Sequence, residues 1–258
     1  MIDIEVHNLD CAFMQNKDTP IKVLEDLSFK VQKSEFIVIL GESGCGKSTI
    51  LQLLSGLMLP TAGEITVNGN PLSKPDPAIS LLFQGSTLLP WLNVADNIQF
   101  GCRIRKDLKD LPNRVNKYLR MMNLEKYRSY YPQELSVGVS KRVDLARALI
   151  GNPKAMLLDE PFAPLDYYTK KRLLHELLSI WNKVQMTCVY VTHDIEEALQ
   201  LGQKILIMNN DPGSIAYQME VPLPYPRVVT DEVFIRLKKE LLDEFSLVSN
   251  LLKSINDE

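Results

Sequence analysis

With 258 residues, 45% of them hydrophobic and 24% charged, the chain has the make-up of a soluble globular protein and can bury a substantial core without disulfides or metals. A formal net charge of −3 argues against the basic footprint of a nucleic-acid binder. Cys11, Cys45, Cys102 and Cys188 form no CxxC pair, which argues against a structural zinc site and fits a reducing compartment.

The first residues begin with acids and lack the basic-then-apolar pattern of a signal peptide. Ile2 to Val6 and Val23 to Val31 read as strands, with apolar residues partly alternating. Phe36 to Leu40, FIVIL, is a continuous apolar run suited to a strand covered on both faces. A helix is expected over Lys47 to Leu57, then a short strand at Ile65 to Val67, a turn at Asn68-Gly69-Asn70 and a strand at Ala78 to Phe83. From about Gly85 to Ile150 the pattern turns mostly helical and richer in charge, as an inserted helical subdomain would. Ala155 to Leu158 is a second buried strand ending in Asp159, and Asp166 to Val184 an amphipathic helix. Thr187 to Val191 and Ile205 to Met208 read as strands flanking a helix at Ile195 to Leu201, and Asp231 to Leu252 as one or two helices. Strands alternating with helices predict a mostly parallel sheet. No apolar run approaches the ~20 residues that span a bilayer, so any membrane part would come from another chain.

The sharpest feature is the run Gly41-Glu42-Ser43-Gly44-Cys45-Gly46-Lys47-Ser48, which fits G-x-x-x-x-G-K-S/T between a strand and a helix, the context that motif requires. Its glycines let the backbone fold tightly and approach phosphates, and successive N–H groups at a helix N-terminus form an anion nest. Lys47 would neutralise the β and γ phosphates and Ser48 would offer its hydroxyl to Mg²⁺, with Thr49 completing the nucleotide-contacting stretch. Beside Lys47 and a helix N-terminus, the Cys45 thiolate is expected to be favoured, and its alkylation to be blocked by bound ATP. Further on, the apolar strand at Met156 ends in two acids, Asp159 and Glu160. At such a strand end Asp159 would help hold Mg²⁺ and Glu160 would orient and polarise the attacking water as general base.

With these motifs in this order, the chain resembles the ATP-binding cassette proteins over about residues 1–220. Phe83-Gln84 is similar to the family's glutamine loop, and Leu135-Ser136-Val137-Gly138-Val139 stands where its LSGGQ signature belongs. Ala163-Pro164-Leu165-Asp166 resembles the loop after the second acid, Thr192-His193-Asp194 the switch histidine, and Phe13 the aromatic that stacks on adenine. The resemblance implies roles: Gln84 touching metal or water, His193 bonding the γ-phosphate, Asp166 bonding across a dimer interface, Ser136 and Gly138 reaching the γ-phosphate held by the opposite subunit. It implies a P-loop NTPase α/β fold, a RecA-like core with an N-terminal antiparallel β subdomain and a helical subdomain at about 86–150, within a domain spanning 1–230 and followed by a helical tail over 231–258. It also implies head-to-tail pairing with a second cassette, most simply a homodimer, ATP and Mg²⁺ at the site, and attachment to integral membrane permease subunits at the cytoplasmic face, served indirectly by a solute-binding protein.

Within the family, Leu88-Leu89-Pro90-Trp91 and the stretches from Asp211 to Ile215 and Pro222 to Arg227 resemble the nitrate/sulfonate/taurine importers. Trp91 either lies near the groove for the permease's coupling helix or is a core aromatic. Val137, Val139 and Ser140-Lys141 depart from the family pattern, and a soluble or regulatory cassette uncoupled from transport is the alternative they leave. Valine at 137 is tolerated if that backbone is helical or extended, and strained if φ is positive there.

Overall fold

The computed structural model describes residues 1–16, 19–210 and 212–256. In chain order it contains β1 (Ile4–Asn16), β2 (Thr19–Val31), β3 (Phe36–Leu40), α1 (Lys47–Leu54), β4 (Ala62–Val67), β5 (Asn70–Pro71) and β6 (Ile79–Leu82). Then follow α2 (Val94–Ile104), α3 (Leu111–Met121), α4 (Val137–Leu149), β7 (Ala155–Asp159), α5 (Tyr167–Val184), β8 (Thr187–Thr192), α6 (Ile195–Leu201), β9 (Lys204–Met208), β10 (Ile215–Glu220) and α7 (Glu232–Asn256). Contacts divide the chain into two units, Met1–Asp76 with Gln185–Glu258, and Pro77–Val184.

In the first unit β1 pairs antiparallel with both β2 and β4, and β5 extends the sheet beyond β4. Ile4, Val6, Leu9 and Cys11 are buried along β1, which explains the partial alternation seen in the sequence. Both opening strands are 13 residues long, well beyond the predicted segments. Their exposed stretches mix polar residues with the apolar Phe13, Met14 and Ile21, so no regular alternation announces them. The parallel strands β8, β3 and β9 lie side by side with β3 in the middle, and β10 closes that edge antiparallel to β9. Every residue of β3, β8 and β9 is buried, as continuous apolar runs require. No strand was expected at β10, where only Met219 is buried. Helix α1 stops at Leu54, three residues short of expectation, because Gly56 takes φ 73° and a side chain there would strike the Lys74 carbonyl at 2.5 Å. The tail is one helix, α7.

In the second unit β6 and β7 pair in parallel, from Ile79 opposite Ala155 to Leu82 opposite Leu158. Among the described residues three α-helices, α2, α3 and α4, and two short 3-10 turns fall in the predicted helical stretch. Helix α2 is capped by Asn93, whose side chain accepts from the Asp96 N–H at 2.8 Å. Asn97 is fully buried and satisfies the preceding turn, accepting from Leu89 N at 2.8 Å and donating to the Leu89 and Leu92 carbonyls at 3.1 and 2.8 Å. That turn leaves Trp91 69% exposed, so Trp91 is not a core aromatic. Among the described residues no helix is long and apolar enough to cross a membrane.

Candidate functional site

The residues singled out by sequence fall into two groups. Phe13, Gly41 to Thr49 and His193 belong to the first unit. Gln84, Ser136, Gly138, Asp159, Glu160 and Asp166 belong to the second.

In the first unit the loop leaves β3 at Gly41, whose N–H donates to the Thr192 carbonyl at the end of β8 (3.3 Å). Gly44 and Gly46 adopt φ 93° and 97°, a region that L side chains resist. Gly46 is the residue before α1 and gives that helix no side-chain cap, so the loop runs straight into a helix N-terminus of the kind that suits an anion. Lys47 is buried and its Nζ donates to the Gly41 carbonyl at 2.9 Å and the Glu42 carbonyl at 2.7 Å, which holds the ammonium over the loop. Ser48 is exposed, Glu42, Ser43 and Gly44 are exposed, Thr49 is half-buried, and Glu42 accepts from the Asn210 amide at 3.0 Å.

Cys45 corrects an expectation. Burial raises its thiol above the ordinary value, outweighing the attraction of Lys47, and only 2% of the residue is exposed. A favoured thiolate is therefore wrong: Cys45 is a small buried filler, its sulfur 2.6 Å from where a side chain on Gly41 would sit. Cys45 is expected to alkylate far more slowly than a free thiol at neutral pH, with and without nucleotide. Timed labelling of the folded chain checks this, and fast labelling that ATP suppresses would contradict it.

His193 is exposed at the end of β8. The turn that carries it is fixed by a residue that sequence reasoning passed over. Buried Glu197 accepts from the Thr192 hydroxyl at 2.7 Å and the Tyr190 hydroxyl at 3.0 Å, while Asp194 caps α6 by accepting from the N–H groups of Glu196 and Glu197. An acid in the first turn of a helix looks like ordinary capping chemistry, so only the buried hydroxyls reveal this function. Phe13 is 42% exposed on β1 opposite Ile21, which excludes a core role and leaves its ring open to a stacking partner.

In the second unit the buried strand β7 delivers Asp159, itself 8% exposed, to its end. Glu160 then turns the chain with φ 37°, a left-handed backbone that costs a non-glycine residue about 1–2 kcal/mol. The fully buried Phe162 anchors the following turn. Asp166 is exposed, accepts from the Thr169 N–H at 3.1 Å, and is held below the usual carboxylate range first by the Thr169 hydroxyl. Gln84 is exposed just after β6. Ser136 precedes α4 without using its hydroxyl as a cap, and Val137 begins that helix with no positive φ. Valine is thus unstrained at 137. At Gly138 a side chain would approach the Thr169 methyl at 3.0 Å.

Among the described residues no three His, Cys, Asp or Glu side chains gather into a metal cage. The second unit offers a buried carboxylate, Asp159, and the first an exposed hydroxyl, Ser48, both oxygen donors of the kind Mg²⁺ takes beside phosphate oxygens.

Residues 24–163 match the ABC transporter family. The chain belongs to that family. It is an ATP-binding cassette, an ATPase built on the P-loop fold. The cassette is 38% identical over 233 residues to the aliphatic sulfonates import ATP-binding protein SsuB of Bacillus cereus, covering 90% of this chain and 92% of that protein. It is 40% identical over 232 residues to the nitrate import ATP-binding protein NrtD of Synechococcus elongatus, covering 87% and 85%. Among solved structures it resembles the ATP-binding cassette MJ0796 in a dimeric, post-hydrolysis state bound to ADP and Pi, with a TM-score of 0.76 and 26% identity over 86% of this chain and all of that one.

Proposed function

We propose that this cassette powers the import of a small oxyanion, sulfonate-like or nitrate-like, through separate membrane permease subunits at the cytoplasmic face. The observation that carries the proposal is the similarity, over about nine-tenths of the chain, to proteins named for sulfonate and nitrate import. Exposed Trp91 supports a docking role in the helical stretch, and the dimeric state of the related MJ0796 cassette supports a head-to-tail pair, here of identical chains. A solute-binding protein would deliver the cargo.

In this proposal Lys47 and the N–H groups at the start of α1 take the β and γ phosphates, while Phe13 stacks on the adenine. Ser48, Asp159 and Gln84 would hold Mg²⁺, which would neutralise phosphate charge when bound. Glu160 accepts the proton of the attacking water, and His193 bonds the γ-phosphate and reports its loss. Ser136 and Gly138 of one cassette read the γ-phosphate of its partner, with Asp166 bonding across the interface. The test is co-purification of the tagged chain from its native membrane with assay of solute-stimulated hydrolysis. Recovery of a permease and stimulation by an aliphatic sulfonate or nitrate are expected, and a chain recovered alone would contradict the proposal.

A regulatory cassette that binds ATP without turnover is the competing reading, favoured by Val137 and Val139. Because Val137 is unstrained, the cost falls on Val139, which lacks the hydrogen bonds of a glutamine amide, each worth about 0.5–1.5 kcal/mol. A working but slow ATPase follows. Val137→Gly combined with Val139→Gln is expected to raise basal phosphate release severalfold. A wild type that is silent even with its permease, beside an active double mutant, would favour the regulatory reading.

A further inference from the structure

Helix α4 carries four charged residues that the proposed mechanism does not use; Arg142 pairs with Glu176, and the other three share one set of partners. Lys141 and Asp144 are 2% and 1% exposed, and Arg147 lies one further turn along the same face. Long charged side chains are rarely so buried without partners, and apart from the Arg147–Asp144 pair the partners here belong to the loop that follows β6. Lys141 Nζ donates to the Gln84 carbonyl. Arg147 donates to the Thr87 carbonyl at 2.8 Å and to its hydroxyl, and pairs with Asp144 at 3.1 Å. Asp144 in turn takes hydrogen bonds from the Ser86 side chain and the Thr87 backbone. The loop is otherwise exposed from Phe83 to Thr87.

We infer that Lys141, Asp144 and Arg147 form a latch that fixes the Gln84 loop to the helix headed by Ser136 and Gly138, which makes Lys141 a positioning residue for Gln84. The inference rests on the role proposed above for Gln84. Three tethers, to residues 84, 86 and 87, leave the loop little freedom to shift independently of α4. The Gln84 amide therefore follows whatever movement α4 makes when its N-terminus engages nucleotide. The buried charge is kept at a cost, since burial pushes the Lys141 ammonium below its ordinary range and the Asp144 carboxyl above its own. A purely structural role would be served as well by an apolar side chain of similar size.

The test is Lys141→Met in the full chain. Lys141→Met removes an ammonium that burial disfavours while Asp144 keeps its ion pair with Arg147, so the chain is expected to stay folded, as a melting curve will show. The turnover number should nonetheless fall about tenfold, the scale of one lost hydrogen bond, with the KM for ATP changed by less than about twofold. The Mg²⁺ concentration for half-maximal activity should rise with it, a readout that packing alone does not move. On a Gln84→Ala background the same substitution should cost nothing further. Thr87→Val, an exposed change that spares folding, should lower turnover in the same direction. Wild-type turnover in Lys141→Met, or an equal loss on both backgrounds, would overturn the latch, as would a misfolded Lys141→Met beside a fully active Thr87→Val. Wild-type turnover in Gln84→Ala would overturn the role of Gln84 itself, and the latch with it.

Discussion

Glu160→Gln is expected to bind ATP normally and to hydrolyse it roughly 10²–10⁴-fold more slowly, the usual effect of removing a general base. The amide keeps the length and shape of the side chain but is a poor proton acceptor. Glu160 sits at φ 37° at the end of a strand whose every residue is buried, so β7 and the buried Phe162 hold its backbone. The substitution should therefore leave the fold alone, and ATP-bound protein should accumulate as a dimer on size-exclusion chromatography. Glu160→Gly makes the complementary point. It relieves the left-handed strain and should raise stability by up to about 1 kcal/mol while abolishing turnover. Near-normal phosphate release by Glu160→Gln, or a less stable Glu160→Gly, would show that the strained acid is not held in place for catalysis.

Lys47→Ala is expected to abolish tight ATP binding. The ammonium is buried and held by the Gly41 and Glu42 carbonyls, so it is already desolvated and oriented before nucleotide arrives. A hydrogen bond to a charged group contributes about 1.5–3 kcal/mol, and each 1.4 kcal/mol is about tenfold in affinity, so loss of contacts to two phosphates should weaken binding at least ~100-fold. Titration with a fluorescent ATP analogue reads the change directly. Unchanged affinity would remove Lys47, and the loop built around it, from the nucleotide site.

Much of this was legible in the residues. The buried strands β3, β7, β8 and β9 announce themselves because both faces are covered and no polar residue interrupts the run. The phosphate loop is legible because its glycines, lysine and serine each answer a physical demand. The end of α1 was not, since Gly56 stops the helix against Lys74, a residue 18 positions further along the chain that is close only in space. Strand β10 was hidden because an edge strand with a single buried residue carries a faint period. Cys45 misled for a related reason: the charge beside it is visible in sequence, while the burial that outweighs that charge is not. Lys141 stood out only as a departure from the family pattern, and its partner, a backbone carbonyl on a distant loop, leaves no trace in the sequence. Asp211, part of the tail resemblance, lies outside the described residues.

ATP-driven uptake into proteoliposomes tests the central claim most directly. The membrane chains that co-purify with this cassette are reconstituted with ATP enclosed, and labelled aliphatic sulfonate or nitrate is added outside with the solute-binding protein. Uptake that requires both enclosed ATP and the wild-type chain, and that Glu160→Gln reduces to background, is the expected result. Uptake that is equal with wild type and Glu160→Gln, or that proceeds without the cassette, would contradict it.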